Sequence, residues 1–104
     1  MERLLLNTYC FDIDGTICSI SVEDYNLAIP YEDRIKQINK LYLEGNKIIF
    51  YTARGYLSGV DHTNLTTNQL KKWGVNYHEI IFGKPAADYY IDDKAKDIFN
   101  WFKV

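Results

Sequence analysis

The apolar positions of this chain fall into short runs separated by stretches of helical spacing. Leu4 to Phe11 is an almost continuous apolar and aromatic run that stops at Asp12-Ile13-Asp14-Gly15. Such a run, closed by a glycine turn, predicts a buried strand over Leu4–Phe11. Over Tyr31–Glu44 the spacing changes: Ile35, Ile38, Leu41 and Tyr42 share one side of a helix, and Gly45 supplies a left-handed stop. Lys47–Tyr51 predicts a second strand around Ile48, Ile49 and Phe50. Asn64–Trp73 predicts a second helix, with Leu65 and Leu70 inward and Gly74 at its end. Two more short strands are expected over Glu79–Phe82 and Asp88–Ile91. A last helix over Ala95–Phe102 would pack Ile98, Trp101 and Phe102.

Strands alternating with helices of about ten residues pair in parallel through right-handed crossovers. The expected architecture is α/β: a Rossmann-like three-layer sandwich, with a mostly parallel sheet of four or five strands and helices on both faces. A chain of 104 residues leaves room for one domain over 1–104. Its 47% hydrophobic and 15% aromatic content fits a packed core and excludes a disordered chain. Twelve basic and fourteen acidic residues give a net charge of −2, which offers no pull toward nucleic acid or an anionic membrane. Leu4-Leu5-Leu6 is too short for a membrane span or a signal-peptide core. Cys10 and Cys18, the two cysteines, make neither a disulfide framework nor a four-cysteine zinc site, so reduced thiols in a cytoplasmic protein are expected.

Ligands of open α/β sheets bind outside the carboxyl ends of the strands. Every predicted exit here carries polar residues: Asp12-Ile13-Asp14-Gly15-Thr16, Thr52-Ala53-Arg54-Gly55, Gly83-Lys84-Pro85 and Asp92-Asp93-Lys94. Singly, each has a plain reading as a turn, a strand-end hydroxyl, a solvated lysine or a helix cap. Together they would bring four carboxylates, a hydroxyl and a lysine to one rim. Four like charges raise one another's pKa unless a cation joins them. Oxygen donors of this kind suit Mg²⁺, whose shell a phosphate completes. Lys84 and the Thr52 hydroxyl are the groups the remaining phosphate oxygens need. The conjunction predicts a phosphoryl-transfer site.

FDIDGT, YTAR, GKP and YIDDKA, in that order and each after a hydrophobic strand, resemble the four motifs of the haloacid dehalogenase superfamily of phosphatases. The resemblance runs from Leu4 to about Phe99, and GKPAADYYIDDKA is similar to small members associated with capsular polysaccharide biosynthesis. It implies that Asp12 is the nucleophile that forms an aspartyl-phosphate, and that Asp14 is the general acid and then the base. It implies Mg²⁺ on the Asp12 carboxylate, the Asp14 carbonyl and Asp93, with Asp92 in a more distant contact and the order of these two open. The Ile13 amide of the loop, Thr52 and the Ala53 amide would bind the phosphoryl group, and Lys84 would offset its charge. Arg54 reads either as a surface or capping arginine or as a contact to the leaving group. His62 reads as a solvated loop histidine or a substrate contact, and His78 as a structural residue.

Helix and strand use up most of 17–51 and 53–83, which leaves no room for a cap domain over the site. Only 17–30, with Ser19, Ser21, Glu23, Asp24 and Tyr25 as candidate lining, and 56–63 remain as flaps. An open site would accept a bulky small-molecule phosphomonoester or borrow a lid from a second copy in a homo-oligomer. Two other classes stay open. A receiver-like phosphoacceptor domain also uses acidic pairs, Thr and Lys, but with the adjacent acidic pair after the first strand. A non-catalytic metal-binding module would need only the carboxylates, although DxDG lacks the later acidic positions of an EF-hand loop.

Overall fold

The computed structural model describes residues 6–21 and 24–102. Three strands, β1 (Thr8–Phe11), β2 (Lys47–Thr52) and β3 (Glu79–Phe82), alternate with helices α1 (Glu32–Leu43) and α2 (Thr63–Lys72). A one-turn helix α3 (Ile98–Trp101) follows, and Tyr25–Leu27 forms a single 3-10 turn. The sheet order is β1-β2-β3 and both pairings are parallel. This is the α/β class expected from the alternation of periods. Sequential order with parallel pairing puts all three strand exits on one rim.

Register explains the core. Phe11 lies opposite Phe50, and Phe50 opposite Ile80. Side chains alternate along a strand, so Tyr9, Phe11, Ile48, Phe50, Thr52 and Ile80 share one face. On that face Ile48 and Phe50 are fully buried. Ile35 and Ile38 of α1, Leu70 of α2 and, from the α3 region, Ile98, Trp101 and Phe102 join the same cluster. Each side chain buried so completely contributes about 1.5–3 kcal/mol. Trp101 meets Phe11 edge-on at 5.4 Å between ring centroids, and Phe102 lies 6.0 Å from the same ring. Acidic Glu32 and Asp33 in the first turn of α1 and Lys40 in its last complement the helix dipole.

Polar side chains tie the layers at the end of the sheet away from the exits. The Asn39 amide of α1 donates to Gly74 O (2.9 Å) and accepts from Asn76 N (2.8 Å). His78 Nδ1 accepts from Ile48 N at 3.0 Å while its ring stacks on Tyr42, the structural role its sequence context suggested.

Several elements differ from expectation. Asp88–Ile91 is not a strand, so the sheet has three strands rather than four or five. The Tyr90 hydroxyl bonds Pro85 O and Ala87 N, folding the segment back on itself, and Ile91 is 98% exposed. A β-prone tripeptide without a cross-strand partner has nothing to hold it extended. The last helix begins only at Ile98, where the Asp97 side chain accepts from Phe99 N as an N-cap. β1 begins at Thr8, and Leu4 and Leu5 lie outside the described residues. The second face of the sheet, with Cys10, Ile49, Tyr51 and Ile81, stays partly open: Cys10 and Ile81 are exposed, and helix residues cluster on the first face.

Candidate active site

β1 ends at Phe11 and the chain turns at once. Thr16 N and Ile17 N donate to Ile13 O, and Gly15 N donates to Cys18 O at 2.8 Å. Gly15 has φ +83°, and a Cβ there would also press on Ile20 at 3.2 Å, so the turn requires glycine. Ile13 and Ile17 are fully buried and anchor the loop from beneath. With Ile13 pointing inward, Asp12 and Asp14 both reach the cavity side. Arg34 of α1 holds the loop from behind: its Nη1 donates to Thr16 O (3.0 Å) and Gly15 O (3.4 Å), and its guanidinium stacks on Phe102 and Tyr31. No sequence motif marked Arg34.

Two cations meet the two carboxylates. Lys84 follows β3, its backbone N–H donates to Thr52 O, and its Nζ stands 3.3 Å from Asp12 Oδ1. The same ammonium lies 4.4 Å above the Tyr90 ring. Arg54 follows β2 and is only 3% exposed. Its Nε donates to Asp14 Oδ2 (2.9 Å) and its Nη2 to Asp14 Oδ1 (2.8 Å), a fork-to-fork pair. Nη1 donates to Gln69 Oε1 (2.6 Å) and Thr66 Oγ1 (3.2 Å) on α2. The Tyr25 ring covers the guanidinium at 4.5 Å. The surface or capping reading of Arg54 is therefore corrected: the YTAR segment turns its arginine inward because Asp14, Thr66 and Gln69 satisfy it there.

Between these groups opens a cavity of about 340 Å³, walled by Asp12, Asp14, Lys84, Ala53, Tyr25 and Tyr90 among others. Gly55 also lines it; with φ +85° and a Cβ position only 2.2 Å from Val60 O, no other residue fits that turn. Burial holds the Asp12 carboxyl above the usual carboxylate range, against the lowering pull of Lys84. Burial works against the charge of Arg54, but its Asp14 bonds outweigh that and raise its pKa. The Cys18 thiol is pushed up to about 12, by burial first and by Asp14 second, which leaves it a non-nucleophilic packing residue.

The structure thus brings Asp12, Asp14, Ala53, Arg54 and Lys84 to one place. Other expected residues fall elsewhere. The Ile13 side chain is in the core, and a backbone hydrogen bond from Ile13 helps lower the Asp12 pKa. Thr52 is buried, and its Oγ1 accepts from Arg54 N (3.1 Å), so the hydroxyl shapes the turn rather than lining the cavity. His62 sits edge-on against Tyr25, outside the lining. Asp92 and Asp93 are exposed and outside the lining, because no fourth strand delivers them; Asp92 Oδ1 instead accepts from Lys94 N, which lowers its pKa. Among the described residues no group of three or more His, Cys, Asp or Glu is gathered for a metal. The convergence is of two acids with two cations, not of four acids. Of the flap candidates, Tyr25 lines the cavity, while Glu23 lies outside the described residues. Among the described residues no helix is long and apolar enough to cross a membrane.

No protein-family model and no curated protein matches the chain. Among solved structures it is similar to the crystal structure of an MCSG target from Vibrio cholerae, with a TM-score of 0.86 and 27% identity. The match covers 95% of this chain and 89% of that one, so the likeness extends through the whole α/β fold described here.

Proposed function

We propose that this protein is a Mg²⁺-dependent phosphomonoester hydrolase of the haloacid dehalogenase type, working through an aspartyl-phosphate on Asp12. The observation that carries this reading is that one open cavity holds both Asp12 facing Lys84 and Asp14 clasped by Arg54. A charge-balanced pair of carboxylates beside an ammonium is what a phosphate dianion and its attacking oxyanion need together.

In the first half-reaction an Asp12 carboxylate oxygen attacks phosphorus. The bond from phosphorus to the leaving oxygen breaks, and that oxygen takes the proton of the Asp14 carboxyl group. In the second, water attacks phosphorus and passes a proton to the Asp14 carboxylate. The bond from phosphorus to Asp12 breaks, which frees phosphate and restores both side chains. Lys84 offsets charge on Asp12 and the phosphoryl oxygens throughout, and the amide of Ala53, which lines the cavity, would donate to them. By the motif resemblance, the Asp12 carboxylate and the Asp14 carbonyl would hold Mg²⁺, with water completing its shell. Bound there, the ion would screen Asp12 from the phosphoryl oxygens. Asp93 and Asp92, outside the cavity wall, are left out of that ligand set. The motif resemblance and the uncapped cavity favour a sugar-linked phosphate of polysaccharide biosynthesis, in a cytoplasmic setting consistent with two free thiols.

Asp12→Asn should lower p-nitrophenyl phosphate hydrolysis by about 1,000-fold or more with the circular dichroism unchanged. Chelation should silence the wild type, and added Mg²⁺ should restore it. Near-wild-type hydrolysis by Asp12→Asn would refute the nucleophile. Release of no more than one phosphate per chain would instead favour a receiver-like phosphoacceptor.

A further inference from the structure

The mechanism leaves Gln69 unused, although it joins three parts of the molecule. Its Oε1 accepts from Arg54 Nη1 at 2.6 Å, and its Nε2 donates to the backbone carbonyl of Tyr25 at 2.5 Å. Arg54 in turn gives two N–H groups to the two oxygens of Asp14. The Tyr25 ring lies over the same guanidinium and lines the cavity. One amide on α2 thus fixes both the cation that orients Asp14 and the loop that roofs that cation. A guanidinium has five N–H donors in a rigid fork. Four bonds here, to Asp14 twice, to Thr66 and to Gln69, leave it a single orientation.

The Asp14 carboxylate can accept about four hydrogen bonds. Arg54 takes two of these sites, and the Cys18 thiol, 3.6 Å from Oδ1, a third. What remains is open to the cavity, which Asp14 lines. Its direction is set by the fork, because the fork holds both oxygens. Proton transfer to a positioned group tolerates little misplacement.

We propose that Gln69 is a positioning residue for proton transfer, acting through Arg54 to aim Asp14 at the water that hydrolyses the phospho-enzyme. Gln69 touches no reacting atom. The proposal rests on the phosphatase reading of the site and deepens it, by assigning to α2 control of the second half-reaction.

p-Nitrophenolate departs as a stable anion and needs little help from a proton donor, so the first half-reaction with p-nitrophenyl phosphate leans least on Asp14. The second half-reaction still needs its base. Purified Gln69→Leu should therefore show a rapid burst of nearly one p-nitrophenolate per chain, followed by turnover about tenfold or more below wild type. Gln69→Glu keeps the acceptor for Arg54 but loses the donor to Tyr25 O, so its steady-state turnover should lie clearly above that of Gln69→Leu and below wild type. Melting temperature and the fraction of chains that burst report folding separately. A Gln69→Leu protein that turns over within about twofold of wild type without a burst overturns the proposal. So does one whose burst amplitude falls in step with its rate, since that marks loss of folded sites. So does equal impairment of the Glu variant. Absence of hydrolysis by the wild type would remove the phosphatase reading itself, and this proposal with it.

Discussion

Asp12 shows how a single position is tuned by opposed forces. Burial disfavours its charge and Lys84, 3.3 Å away, favours it, with burial the larger effect. Its pKa in the fold is raised above that of the unfolded chain, so whatever stability it contributes is present in acid and lost as pH rises through the folded value. Asp12→Asn should accordingly melt at or above the wild type at pH 7 in the presence of chelator, by calorimetry. On the proposed phosphatase reading activity runs the other way, because attack needs the carboxylate. With both enzymes assayed at the same saturating Mg²⁺, the acid limb of kcat/KM should lie at higher pH in Lys84→Met than in the wild type. Both enzymes meet the same substrate ionisation, so the shift between them isolates Asp12. At this scale the sequence was informative wherever a short motif binds its own residues together, as in Asp12-Ile13-Asp14-Gly15. It was silent on Arg34 and Gln69. Their partners, the Thr16 carbonyl and Arg54, lie far along the chain, and no local spacing links them.

At the scale of elements, hydrophobic period located α1, α2, β2 and β3 nearly to the residue, because each buries its own periodic stripe. The same rule failed for Asp88–Ile91. Tyr89-Tyr90-Ile91 looks like strand, but strand formation is decided by a pairing edge that a short local window does not contain. The cost was specific: without that strand, Asp92 and Asp93 miss the cavity. α1 offers a test of the way elements support the site. Arg34 carries the DxDGT loop on its Nη1 and is itself held by two aromatic rings. Arg34→Met keeps much of the apolar packing but leaves the Gly15 and Thr16 carbonyls without this donor. It should cost about 1–3 kcal/mol in urea unfolding and lower kcat/KM as the loop loses its register. Unchanged stability and activity would show that solvent replaces the bond fully.

For the molecule as a whole, exposure is unevenly spread. Residues 85–97 are exposed throughout, between β3 on one side and α3 on the other. Brief chymotrypsin or trypsin treatment should cut first at Tyr89, Lys94 or Lys96, with fragments that remain associated. First cuts within α1 or β2 would contradict this packing. The way the chain closes on itself also bears on how it is made. Tyr9 and Phe11, among the first described residues, are covered by Trp101 and Phe102, among the last. While β1, β2 and β3 can assemble in the order in which they emerge from the ribosome, the aromatic seam over β1 stays wet until α3 has emerged as well. A nascent chain paused before α3 therefore presents bare aromatic rings beside an unpaired strand edge, the surface that chaperones hold and aggregates grow from. Native topology thus makes the docking of α3 the step that ends exposure of β1.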